Sequence, residues 1–270
     1  MAIGKIAARA PVRAQRFATA PLRVLRQSIA GRPFTRAEKR EEDSLANQRR
    51  PLQPGEASPA FTLPAANREG TVSLADLRGR PFLVGFYRGL HCPFCRRQVV
   101  QLSAAQPALL AAGIETLAVI NTPLDRARMY FRHRPTPVTL LSDPDCLTHG
   151  AFGVPRAEFL PDGSSEAPKW PYQATLEQFM AARIDPAGEL PEKVQPMEAN
   201  TVLNAKDGFE MQEADHAILA THPTQLVGHF LVDAEGIVRW VQIEASDDPN
   251  KLSIFPTAAE LVAAASSLAH

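Results

Sequence analysis

Two cysteines three residues apart, Cys92 and Cys95, are the residues of this chain best suited to chemistry. They stand in Tyr87-Arg-Gly-Leu-His-Cys-Pro-Phe-Cys-Arg-Arg-Gln98, directly after an apolar run from Pro81 to Tyr87. Residues three apart on a helix share a face, so both thiols point the same way and can close a small disulfide. Proline is favoured at the first helical position, where its missing N–H would have had no intrahelical partner. Pro93 therefore makes Cys92 the expected N-cap. A thiolate there faces free backbone N–H groups and the positive end of the helix dipole, which lowers a cysteine pKa from about 8.5 into a range of roughly 3.5 to 7.5. Arg88 and, if protonated, His91 push the same way. Cys92 is the expected nucleophile and Cys95, one turn inside the helix, the expected resolving thiol.

Zinc sites also use Cys-x-x-Cys, and Cys146-x-x-His149 supplies a second pair of zinc-type ligands. Both pairs are expected at helix starts after parallel strands, so one edge of the sheet can hold all four. A metal-binding or structural protein is thus one alternative, and cysteines that are merely buried are another. The order strand, turn, Cys-Pro-x-Cys, helix favours a redox pair, which needs no metal or other cofactor. His133, His216, His222 and His229 lack metal-ligand spacing, and Trp170 and Trp240 read as packing residues.

The elements that must position the pair can be read on both sides of it. Pro81 to Tyr87 is nearly all apolar, as expected of a strand covered on both faces. Phe61-Thr-Leu63 is a short extended piece, and Thr71 to Gly79 a turn into a short helical segment. The helix opened by Pro93 places Cys95, Val99 and Leu102 on one face; Pro107 is expected to kink or restart it before a stop at Gly113. Ile114–Ile120 is a strand, Leu124–His133 a helix with a basic outer face, and Val138–Leu141 another strand. Asp143 or Asp145 caps a short helix containing Cys146 and His149. Gln225–Ile243 reads as a β-hairpin turning at Ala234-Glu-Gly236, and Pro256 opens a final helix, Thr257–Leu268. Strands alternating with helices imply an α/β fold with a mostly parallel, doubly covered sheet.

Two segments do not fit this rhythm. Residues 154–222 contain seven prolines between Pro155 and Pro196, which excludes long regular elements. Short helices are expected there at Tyr172–Ala182, around Met197–Leu203 and at Phe209–Ala220. So long a stretch inside a compact domain is usually functional or disordered, and this one is expected to cover part of the site or to form a subunit contact. Residues 1–50 are the second. Within 1–40, ten Lys or Arg oppose one acid, Glu38, in a chain whose net charge is zero. Arg9, Arg13, Arg16, Arg23 and Arg26 would line one helical stripe, but Pro11, Pro21 and Pro33 interrupt it. The expectation is a disordered basic extension ahead of a domain over 51–270. An organelle transit peptide is the alternative, although only Thr19, Ser28 and Thr35 supply hydroxyls within 1–40. No aromatic interleaving supports nucleic-acid stacking, no apolar run reaches the roughly 18 residues of a membrane span, and three cysteines make no secreted disulfide framework.

Three blocks together resemble the peroxiredoxin-like AhpC/TSA family of the thioredoxin superfamily. Pro54-Gly-Glu-Ala-Ser-Pro-Ala-Phe-Thr-Leu63 with Val72-Ser-Leu-Ala-Asp-Leu-Arg-Gly79 resembles its opening. Phe86-Tyr-Arg-Gly-Leu-His-Cys-Pro-Phe-Cys-Arg96 resembles the active-site segment of the branch that has Cys-x-x-Cys. Leu141-Ser-Asp-Pro-Asp145 and Phe230-Leu-Val-Asp-Ala-Glu-Gly-Ile-Val-Arg239 match later segments in order. The resemblance covers 52–153 and 224–245. It implies a thioredoxin-like fold with a central mixed, mostly parallel sheet flanked by helices, and a long insertion at about 154–222 before the last two strands. It makes Cys92 the match to the peroxidatic cysteine, implies a peroxide or disulfide substrate and an external dithiol reductant of thioredoxin or glutathione type, and allows a homodimer. A cytoplasmic location is implied, or an organelle if the N-terminus is a transit peptide. Three positions depart from the pattern: Gly89 and Gly85 stand three and seven residues before Cys92, where the family usually has threonine and proline, and Val227 stands where it has the arginine that steadies the thiolate. Val227 also departs from the cis-proline of thioredoxins. Arg88 and Arg239 are candidates to stand in for that arginine, and the sequence places neither of them. The losses favour thiol–disulfide exchange over peroxide reduction, and glutaredoxin-like exchange or a non-catalytic binding module are further alternatives.

Overall fold

The computed structural model describes residues 50–270, apart from 162, 165–172, 247 and 270; the expectations for residues 1–49 lie outside the described residues. Strands β1 (Thr62–Pro64) and β2 (Thr71–Ser73) pair antiparallel. They lead into a single 3-10 turn, Leu74–Leu77, whose capping box joins Ser73 and Asp76. The central sheet contains β3 (Phe82–Tyr87), β4 (Glu115–Ile120), β5 (Thr139–Ser142), β8 (Gly228–Val232) and β9 (Val238–Ile243), in the order β5-β4-β3-β8-β9. β3, β4 and β5 run parallel, while β8 joins β3 antiparallel and forms a hairpin with β9. The result is a mixed α/β sheet flanked by helices.

Period-two alternation sorts β3 between two cores. Phe82, Val84 and Phe86 pack with Phe61, Phe152 and Phe230 on one face. Leu83 and Tyr87 face the other, with Leu102, Leu109 and Leu261. That second core also contains Cys92 and Cys95. A helix covers it: α1 (Pro93–Ala111), which runs through Pro107 without ending there. Proline inside a helix costs about 3 kcal/mol, but Leu102, Ala105 and Leu109 on the inner face are buried and Pro107 itself is exposed. Core packing outweighs the lost hydrogen bond. The stop at Gly113 is a left-handed turn, φ +75°, with its N–H on Leu110 O and the Ile114 N–H on Leu109 O.

The remaining helices are α2 (Leu124–Phe131), α3 (Leu147–Ala151), α4 (Leu176–Ala181), α5 (Pro196–Lys206), α6 (Glu213–Thr221) and α7 (Ala258–Ser266). α2 is not basic on its outer face alone, because Arg126 is buried and pairs with Asp215 of α6 at 2.7 Å. α4 to α6 belong to the proline-rich stretch, with the short strands β6 (Glu158–Phe159) and β7 (Gln173–Ala174). Among the described residues, no helix is long and apolar enough to cross a membrane.

Candidate active site

β3 delivers the chain to a tight loop, 88–91, and α1 starts at Pro93 with Cys92 as its N-cap. The Cys92 sulfur accepts the Cys95 N–H at 3.1 Å, and the Cys95 side chain and the Arg88 charge act on it as well. Burial would raise the Cys92 pKa, but these contacts and the Arg88 charge offset it and bring the value down to about 6. Burial and the neighbouring Cys92 push Cys95 well up. The two shifts run in opposite directions, favouring the thiolate at Cys92 and the protonated thiol at Cys95, through the Cys95 contacts and the Arg88 charge. Both cysteines are almost fully enclosed, with 2% and 3% of their surface exposed.

Arg88 is the guanidinium at the thiolate. Its Nη2 donates to Glu244 Oε1 at 3.0 Å and to Ser253 Oγ at 3.3 Å. Glu244 is wholly buried and also accepts the N–H groups of Val227 and Ser253, at 3.0 and 2.6 Å. Burial opposes the Arg88 charge, yet Glu244 and the two cysteines hold its pKa well above the ordinary value. Ala245 and Ser253, which bracket this carboxylate, both have left-handed backbones, φ +50° and +63°, a conformation that costs non-glycine residues energy and gathers at functional sites. Arg239 does not reach the site, for it pairs with Asp233 at the hairpin turn. Glu244 and Ser253 carry no signal in the sequence: Glu244 only follows an apolar strand, and more than 150 residues separate it from Arg88.

His91 does not help to ionise Cys92. Burial, reinforced by the Arg88 charge, lowers its pKa to about 4, so the imidazole is neutral at pH 7. Cys146 and His149 do not join Cys92 and Cys95 either. Cys146 is the left-handed N-cap residue of α3, and burial next to Asp143 pushes its thiol up to about 12. His149 faces Asp143 Oδ2 through Nδ1 at 2.8 Å and Tyr87 O through Nε2 at 3.1 Å. Asp143 in turn caps α3, accepting from the N–H groups of Leu147, Thr148 and His149. The zinc reading fails here, since both His149 nitrogens are engaged and, among the described residues, no three metal-ligating side chains converge.

A model of the AhpC/TSA family matches residues 54–241, more than half of the chain. The chain belongs to that family. Over 104 residues, 38% of this chain and 66% of the other, it is 32% identical to peroxiredoxin Bcp of Escherichia coli K12. Over 102 residues, 37% and 47% of the two chains, it is 29% identical to the chloroplastic peroxiredoxin Q of Populus jackii. The chain spans just under two thirds of the length of the bacterial relatives it matches. A reduced 2-Cys peroxiredoxin from Plasmodium vivax shares the fold, with a TM-score of 0.50 and 17% identity over 82% of this chain and 83% of that one.

Within this AhpC/TSA chain, the two glycine departures have steric causes, and the structure gives none for the valine at 227. A Cβ on Gly85 would lie 2.1 Å from the Tyr87 hydroxyl, which crosses that space to reach His229 Nε2 at 2.9 Å. A Cβ on Gly89 would lie 2.6 Å from Asn121 O and 3.0 Å from His91 Nδ1, so the loop leaves no room for a threonine. At Val227 the backbone, not a side chain, contributes: its N–H and C=O both bond Glu244, the residue that holds Arg88.

Proposed function

We propose that this protein is a thiol-dependent peroxidase working through Cys92 and Cys95. The observation behind this reading is the Cys92 sulfur at the N-cap of α1, accepting the Cys95 N–H at 3.1 Å, where Cys95 and the Arg88 charge lower its pKa to about 6. The thiolate attacks one oxygen of a peroxide, an S–O bond forms as the O–O bond breaks, and the leaving oxygen takes a proton and departs as water or an alcohol. Arg88 is the preorganised charge available to the developing negative oxygen, the kind of contribution that is often the largest in catalysis. Cys95 then attacks the sulfenic acid, expelling water and closing a disulfide one helical turn long. An external dithiol reduces that disulfide by exchange. Peroxiredoxin Bcp and peroxiredoxin Q, the relatives by name, support the peroxide as oxidant. The missing arginine at Val227 weighs less against it once Arg88 stands at the sulfur. The chloroplastic relative keeps an organelle location open beside a cytoplasmic one.

The test is rapid mixing of reduced protein with hydrogen peroxide, an organic hydroperoxide and a small disulfide. Thiol loss is followed in wild type, Cys92→Ser and Cys95→Ser. Cys92-dependent consumption of a peroxide is expected, with a sulfenic acid accumulating in Cys95→Ser. Reaction with the disulfide alone would replace this reading by thiol–disulfide exchange.

A further inference from the structure

We propose, resting on the peroxidase reading above, that residues 184–222, with α5 and α6, form a latched cover that restricts Cys92 to small hydroperoxides. The cover is fastened to the cysteine loop itself. Asn204 Nδ2 of α5 donates to His91 O at 3.0 Å, while Asn204 Oδ1 accepts Arg96 Nη2 at 2.9 Å. Arg96, in the first turn of α1, also donates to Leu90 O and pairs with Asp207 just past α5. Arg97 adds a second pair to Asp207 at 2.8 Å and one to Glu189 at 2.6 Å. The Phe209 ring lies 4.2 Å beneath the Arg96 guanidinium. From α6, Ile218 Cγ2 stands 3.1 Å from where a Cβ on Gly89 would be, and Asp215 ties α6 to Arg126. Ala199 and Leu203 of α5 share one core with Cys92, Cys95 and Val99. Arg96 thus grips the loop carbonyl, the cover and the helix that presents both thiols.

Two consequences follow for what can react. Both cysteines are enclosed, so a fastened cover selects reagents by size and favours a peroxide's two oxygens over a bulky disulfide. His91 Nδ1, 3.0 Å from where a Cβ on Gly89 would be, is buried without a hydrogen-bond partner among the described residues. Buried polar groups are nearly always paired, so this nitrogen of the cysteine loop has capacity left for a small hydrogen-bonding molecule. The chemistry is the balanced step given above, in which sulfur is oxidised by two electrons and the peroxide reduced to water or alcohol. The cover equally separates the Cys92–Cys95 disulfide from a protein dithiol, so its release belongs to the reductive half of the cycle.

The test uses full-length reduced protein, Cys92→Ser as the blank, and 2,2′-dipyridyl disulfide as the bulky uncharged probe. Asn204→Ala with Asp207→Ala unfastens the cover. The double variant is expected to react with the probe at least about tenfold faster than wild type, and with hydrogen peroxide within about threefold of it, as for release of a locally stable segment. Equal probe rates in wild type and variant would overturn the cover. Should the variant not fold, wild type alone decides: rates are expected to fall from hydrogen peroxide through tert-butyl to cumene hydroperoxide, and a flat series would overturn the restriction. If Cys92 consumes no peroxide while the probe still reacts faster in the variant, the peroxidase reading fails and the cover stands.

Discussion

At the scale of single residues, the site reduces to one sulfur and one guanidinium. With a Cys92 pKa of about 6, the thiolate is the acid's charged form, so its population rises with pH and is nearly complete at pH 7. Removing the cation with Arg88→Met is expected to raise the thiol part of the way toward an ordinary value of about 8.5, because the Cys95 contacts still lower it, and to slow alkylation by iodoacetamide at pH 7 by up to about 30-fold. Measured in the Cys95→Ser background, the pH profile of alkylation is expected to rise through about 6 with Arg88 present and to move upward without it. An unmoved midpoint would mean that the cap alone sets the value. Glu244→Gln is expected to move the midpoint less, since the amide still accepts one N–H but no longer holds Arg88 by charge. The placement of Cys92 at the helix N-cap and of Cys95 inside the first turn was legible in the sequence because spacing and Pro93 constrain it locally. Glu244, Ser253, Asn204 and Asp207 were not, because their roles depend on contacts between segments more than 100 residues apart, which no local pattern encodes.

At the scale of elements, β3 shows how a departure from a family pattern can be a packing solution. Tyr87 and Gly85 lie on the same face two residues apart, and Tyr87 lays its hydroxyl over Gly85 to meet His229 of β8. With Gln242 Oε1 accepting from His229 Nδ1 at 3.0 Å, His229 Nε2 is the acceptor of the tyrosine hydroxyl. Burial lowers the His229 pKa to about 4, which keeps the ring neutral and this polarity fixed. Tyr87→Phe strands that nitrogen in the core and is expected to cost about 1–3 kcal/mol in urea unfolding. Gly85→Ala meets the ring itself, not only its hydroxyl, and is expected to cost at least as much, about 1–3 kcal/mol or more. Tyr87→Phe should not rescue it, because the ring carbons are also within 2.8 Å. Full rescue would refute the steric account. The five strands of the central sheet were readable from apolar runs, as was the break at Gly113, whereas the short strands β2, β6 and β7 were not, and Gln173–Ala174 is a strand where a helix was expected. Helix α1 misled at Pro107 because propensity is local while the burial of Leu102, Ala105 and Leu109 is tertiary.

At the scale of the whole chain, stability is unevenly distributed, and the distribution bears on function. Strands β3, β5 and β8 of the central sheet are buried along their entire length. Residues 184–222 place few side chains in the core, Ile184, Leu190, Ala199 and Leu203 among them, and are also held by partly exposed ion pairs such as Lys206 with Glu189 at 2.9 Å. Such pairs weaken with salt, whereas apolar burial does not. Native-state hydrogen exchange is therefore expected to show α5 and α6 opening at lower free energy than β3 and β4, as one cooperative unit. Acid should act on the same unit. The Arg97 hydrogen bond, aided by Lys206, lowers Glu189 to about 2, and Arg97 and Arg96 outweigh burial to lower Asp207. Carboxylates with depressed folded pKa values contribute stability that is complete above their unfolded values of about 4 and is lost as pH falls below them. Raising salt at neutral pH, or lowering pH from about 5 toward 3, should speed exchange in α5 and α6 while β3 and β4 keep their protection. If instead α5 exchanges only by the global unfolding that exposes β4, the stretch is part of the rigid core, and entry to Cys92 must follow a path that leaves it in place.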